Sequence, residues 1–341
     1  MSTNTDNVIP AAHSRASVNA AVRWIVACTV ALAALAGVGL PQVQPAAAAA
    51  PGRAVTWTVL LGGQGEMQQQ AMGPMGVWQF MRFYPDTITV NVGDTIVWKY
   101  NAAEPHTVTF PKSGDKMPDL AIPEGGNSQR MLFDPPVIFP QGGATYDGTA
   151  LVGSGQMGGG PQFPTEFKLT FTKPGTYDYF CAFHVSMMKG KVVVQPAGTP
   201  YPMTQVQIDA AASAQIATDT QAALKVEAQL KASPVSTRPG PNGTTIYQVK
   251  IAYGDGMMAW MRFNPAQLTI KVGDSVEWVQ QDVEDPHTVT FTSGSPDPDI
   301  VLPEPQQSGP PKLVLNPQLF GPAGAMTYSG KGYRCVGLSR G

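Results

Sequence analysis

Hydrophobic and polar positions alternate along two separate stretches of the chain. In the first, Ile88, Val90 and Val92, then Ile96 and Trp98, are spaced two apart with a Gly-Asp pair between the two runs; in the second, Leu268, Ile270 and Val272 repeat the pattern. A period of two predicts strands with one face in a core, and the Gly-Asp pair marks the turn between them. Farther on, "TEFKLTFTKPGTYDYFC" predicts strand, Pro-Gly turn, strand, and "KGKVVVQ" a last strand. Many short strands with no alternating helices predict an all-β, Greek-key antiparallel β-sandwich.

The two stretches are copies. "FMRFYPDTITVNVGDTIVW" (80–98) returns as "WMRFNPAQLTIKVGDSVEW" (260–278), and "EPHTVTF" (104–110) as "DPHTVTF" (285–291). A sustained repeat means one structural unit used twice. The predicted organisation is a leader over 1–50, a first sandwich over 53–197, a helical and Pro/Gly linker over 198–243, and a second, incomplete copy over 244–341. Residues 206–232 are Ala-rich without Gly or Pro and predict a helical spacer. The second copy has no counterpart of the segment around Cys181. Cys335 aligns instead with the Gly-rich stretch near "DGTALVGSG". A sandwich lacking its last strands leaves edges unpaired, so this copy is expected to be marginal or to need a partner, as in a truncated gene product.

Composition narrows the classes. With 36 glycines, 32 prolines and only 13% charged residues, the chain suits loop-rich β-domains, and a formal charge of -2 without a basic run excludes a nucleic-acid partner. Arg15 and Arg23, an apolar run "WIVACTVALAALAGVGL" and a small-residue tract ending at Ala50 read as an export signal. The predicted location is periplasmic, cell-surface or secreted. The apolar run is at the short limit for a span, so a retained anchor stays open, and only then would a membrane be a partner. Cys28 opens that run instead of closing it, which argues against lipidation.

The chemistry concentrates in "YDYFCAFHVSMMKGKVVV" (177–194), where Cys181, His184, Met187 and Met188 lie on one loop between two strands. His106 ends the preceding half, inside "EPHTVTF". Two imidazoles and a thiolate define a trigonal plane suited to copper, with a thioether on the axis. A zinc site would need further Cys or His ligands. A Cys181–Cys335 disulfide is the other reading of two cysteines in an exported chain, but it would remove the thiolate from between its histidines.

"PHTVTF" followed by "GTYDYFCAFHVSMMKGKVVV" resembles the cupredoxins, the plastocyanin and azurin-like blue copper proteins. The resemblance spans 53–197 and, in part, 244–330. It implies His106 and His184 as nitrogen ligands, Cys181 as thiolate and, through the "MKG" register, Met188 as axial ligand; a shorter His-x2-Met spacing would select Met187. It implies one copper ion in the first copy, whereas the second supplies only His287. The expected function is one-electron transfer between protein redox partners through the edge of His184, with Phe183, Val185 and Met75 as a docking patch. The alternative is copper delivery using Met67, Met72 and Met75. Oxidase activity would need His-x-His pairs, and the sequence has none, so the chain is read as not an enzyme.

Overall fold

The computed structural model describes residues 53–320 and 334–338, apart from 66, 71, 72, 77, 283, 284 and 297. The export segment, Cys28 and Met72 lie outside the described residues.

In the first copy, one sheet runs in the order Thr145–Tyr146, Glu166–Phe171, Thr95–Tyr100, Thr56–Gln64, Trp78–Tyr84. The facing sheet runs Val152–Gly153, Thr109–Phe110, Gly175–Phe180, Lys189–Gln195, Thr87–Asn91. Alternation sends Trp57, Val59 and Leu61 inward from one sheet, and Ile88, Val90, Val192 and Val194 from the other. Phe110, Tyr179 and Trp98 fill the centre as an aromatic cluster.

The sandwich is mixed, not purely antiparallel. Thr56–Gln64 pairs parallel with Thr95–Tyr100, and Lys189–Gln195 parallel with Thr87–Asn91. The chain crosses to the opposite sheet and back between the paired strands, so they return in the same direction. The predicted turn forms: Gly93 has φ +92°, and the buried Asp94 carboxylate accepts from the backbone N–H of Val55 (2.7 Å) and Asn91 (2.8 Å) and from Trp57 Nε1 (3.0 Å). Its counterpart Asp274 accepts from the N–H of Thr245 (2.8 Å) and Lys271 (2.9 Å).

Two strand-rich regions are separated by the helix Gln205–Ala232, opened by a Thr204/Gln207 capping box. The helix does more than connect. Tyr84 Oη donates to Asp219 at 2.7 Å, Asn264 Nδ2 donates to the carbonyl of Leu230 at 2.6 Å, and Ala212, Ala223 and Leu230 pack with Trp78, Phe80, Met258 and Trp260. It therefore covers a face built by both copies.

One part of the predicted pattern does not form strand. Residues 267–271 take no regular structure, and Val272 is fully exposed. In the first copy, the equivalent Thr87–Asn91 strand is held by Lys189–Gln195, the strand after the ligand loop. No such partner is present for 267–271 among the described residues, and alternation without a facing strand leaves the backbone polar groups to solvent. The segment Arg334–Leu338 pairs Cys335 opposite Thr290, just as Gly153 pairs with Thr109. Cys335 thus stands at the place of Gly153, in agreement with the repeat alignment.

The copies meet about an approximate twofold. Trp78–Tyr84 pairs antiparallel with Met258–Asn264, its own equivalent, through Trp78↔Trp260, Gln79↔Ala259 and Phe80↔Met258. Leu132 pairs with Val314, which holds the matching place in the second copy. Reciprocal ion pairs flank that contact: Lys312 Nζ reaches Glu124 at 2.6 Å, and Arg130 bonds Glu304. Matching residues exchanging contacts in this way is the mark of an isologous interface.

Candidate metal centre

Two segments bring the ligand atoms together. His106 follows Thr95–Tyr100 and is fixed by a two-way bridge to Met157, N–H to carbonyl at 3.1 Å and the reverse at 2.8 Å. Met157 belongs to the Gly-rich stretch "VGSGQMGGGPQFP" (152–164), which thus forms a wall of the site. Cys181 directly follows Gly175–Phe180, and the loop closes in a tight turn: the N–H of His184 donates to the carbonyl of Cys181 (3.2 Å), that of Met188 to His184 (2.8 Å), and that of Cys181 to Met188 (3.0 Å).

The Sγ of Cys181 lies 3.6 Å from Nδ1 of His106 and 3.5 Å from Nδ1 of His184. Metal–sulfur bonds of ~2.3 Å and metal–nitrogen bonds of ~2.0 Å, opened trigonally, would put sulfur and nitrogen roughly 3.7 Å apart. The donor set fits copper on this spacing and on its mixture of soft sulfur with imidazole. Cys181, His106 and Met188 are fully buried. Met187 is half-buried, and its Sδ packs toward Gly256 of the second copy. Of the two methionines, Met188 is the one enclosed in the core.

Other residues hold the cage. The N–H of Thr107 points at Cys181 Sγ (3.4 Å), and the Thr107 hydroxyl accepts from the N–H of Ala182 (2.7 Å). Gly62, at φ +76°, lies under the His106 ring; a Cβ there would stand 2.7 Å from Nε2. Burial pushes the Cys181 thiol up to about 12 and His184 down to about 4, and holds His106 well below the usual histidine range. Both rings thus offer lone pairs at neutral pH, while the thiol needs a cation to displace its proton.

The expected exposure of His184 is not found. It is only 6% exposed, and Asp285 of the second copy faces its Nε2, with Oδ1 at 3.8 Å. Glu104 is also buried there, 3.9 Å from Nε2 of His106, its carboxyl raised well above the usual range by burial and then by Asp285 and Asp282. His287 is no part of the cage: its Nε2 lies 3.0 Å from Asp282. Of the expected docking patch, Val185 is exposed, Phe183 packs edge-on to Phe133, and the side chain of Met75 is outside the description. Met67 and Met75 sit on a short hairpin, Met67–Gln70 with Gly73–Gly76. The reading of the sequence missed Gly62, Thr107, Glu104 and Asp285; the last two were signalled by the acid two residues before each "PH" histidine.

Residues 75–195 match the copper binding proteins of the plastocyanin/azurin family. A chloroplast plastocyanin of Oryza sativa subsp. indica is 30% identical over 149 residues, 43% of this chain and 76% of its own. The minor chloroplast plastocyanin of Arabidopsis thaliana is 28% identical over 34% of this chain and 52% of its own, so the match spans about half of that relative. A solved mutant plastocyanin of fern aligns with 40% of this chain and 99% of its own, at 22% identity and a TM-score of 0.22. Through its first copy, the chain belongs to the plastocyanin/azurin family of copper-binding proteins.

Proposed function

We propose that this chain is an exported type 1 copper protein that carries single electrons between protein redox partners. Proteins of this family are characteristically non-catalytic electron carriers, which agrees with reading the chain as no enzyme. The observation that supports the reading most is the placement of Cys181 Sγ within 3.5–3.6 Å of both histidine nitrogens.

His106, Cys181, His184 and Met188 would hold one copper ion. Copper bound there supplies a one-electron couple. The chain's own part is to keep the donors in one arrangement. The backbone turn of 181–188, the Met157 bridge and the Thr107 contacts hold the ligand side chains in place, so little rearrangement would accompany a change of charge. The buried aromatic cluster excludes water from the sulfur. Protein partners would approach on the Val185 side, since the second copy covers Nε2 of His184. Among the described residues, no helix is long and apolar enough to cross a membrane.

The test is addition of Cu(II) to the mature chain. An intense blue thiolate-to-copper band at one copper per chain is expected, and Cys181→Ser should abolish it. Copper uptake without that band, or a band indifferent to the Cys181 substitution, would reject the reading.

A further inference from the structure

Glu104 and Asp285 occupy the same place in the two copies, each two residues before a "PH" histidine. The approximate twofold that pairs Trp78 with Trp260 also carries these two acids to one point from opposite sides. A carboxylate oxygen of each and a ring nitrogen of His184 all lie within 4.8 Å of one another. The ring is shared, since Nδ1 faces Cys181 while Nε2 faces Asp285.

Glu104 is 7% exposed, and its Oε1 has no hydrogen-bond partner among the described residues. Nε2 of His106, its neighbour at 3.9 Å, has none either. Glu104 Oε1 is thus a buried acceptor that lacks a donor, and a cation set between it and Asp285 would supply the missing partner. Oxygen, oxygen and imidazole nitrogen form a ligand set for a borderline divalent cation, with no soft sulfur to select Cu(I).

We propose that Glu104, Asp285 and Nε2 of His184 form a second metal site, for a divalent cation of the zinc class, seated between the two copies and sharing the His184 ring with the copper cage. Nδ1 of His184 faces the cage and Nε2 faces Asp285, so a cation at Nε2 would take the place of a ring proton, which would pass to solvent. The ion would tie the copies together, because each contributes one carboxylate. The inference rests on the copper reading only through the shared ring.

The experiment is equilibrium dialysis of the copper-loaded mature chain against Zn(II), with both metals counted and the blue band followed. One zinc per chain is expected, together with a shifted blue band and a melting temperature that rises with zinc. Glu104→Gln and Asp285→Asn should each weaken zinc uptake at least tenfold with the blue band retained, and Asp285→Glu should restore part of it. No zinc above background in the unsubstituted chain overturns the site without recourse to any variant. Uptake unchanged by both substitutions overturns it as well. A blue band without zinc uptake would reject this site alone, whereas zinc uptake that depends on Glu104 and Asp285, with no blue band, would reject the copper reading alone.

Discussion

The Thr107 hydroxyl accepts a hydrogen bond from the backbone N–H of Ala182 at 2.7 Å, tying the segment of His106 to that of Cys181 beside the sulfur itself. Thr107→Val keeps the shape and removes the acceptor, leaving a buried N–H unsatisfied at a cost of about 1–3 kcal/mol. Urea unfolding should show that loss, with Thr107→Ser close to the unsubstituted chain. Equal stability of Val and Ser variants would mean the tie is idle.

Gly62 admits no side chain. Its φ of +76° disfavours any Cβ, and the atom would meet both Ala102 Cβ and His106 Nε2 at 2.7 Å. Gly62→Ala should cost about 1 kcal/mol or more from the backbone alone and, by displacing the ring, weaken copper binding at least tenfold. Competition with a copper chelator measures this; unchanged affinity would show that His106 is not held from that side.

Met188 and Met187 should separate cleanly. Met188 is fully buried in the first core, so Met188→Ala is expected to cost about 2–5 kcal/mol as a core truncation and to change the copper spectrum. Met187→Ala, whose sulfur packs toward Gly256, should leave the spectrum alone. A spectral change confined to the Met187 variant would reverse the axial assignment.

The metal-free chain should weaken in mild acid. Burial holds His184 at about 4 against an ordinary 6.5, so the unfolded chain takes up a proton first as pH falls. Stability is full above the unfolded value and is lost as pH drops toward the folded one, at up to about 1.4 kcal/mol per pH unit for this ring. His106 acts in the same direction. Denaturant midpoints between pH 7 and pH 4 check this, and copper loading should protect, because the metal holds both rings in the neutral form. Glu104, its carboxyl raised by burial, acts in the opposite direction as pH falls, so the profile is read in a Glu104→Gln background, where a flat result would contradict the burial of these histidines.

Much of the first copy was legible in the order of its residues. Alternation named its strands, Gly93 and Asp94 named the turn, and the Cys-x2-His spacing gathered most of the cage, because these signals are local and a strand's inward face depends only on its own period. Strand direction was less legible: parallel pairing arises when the chain crosses between sheets, and no single strand records that.

The sequence by itself determined a repeated strand unit, an Ala-rich helix and a set of copper-type donors, since each is written in neighbouring residues. The tertiary structure alone decided that 267–271 stays irregular for want of a facing strand, that the helix covers a face made by both copies, and that Asp285 lies over Nε2 of His184. These outcomes depend on contacts between residues far apart in the chain. Whether an alternating segment becomes a strand, or a ligand's edge meets water, is settled by what packs against it.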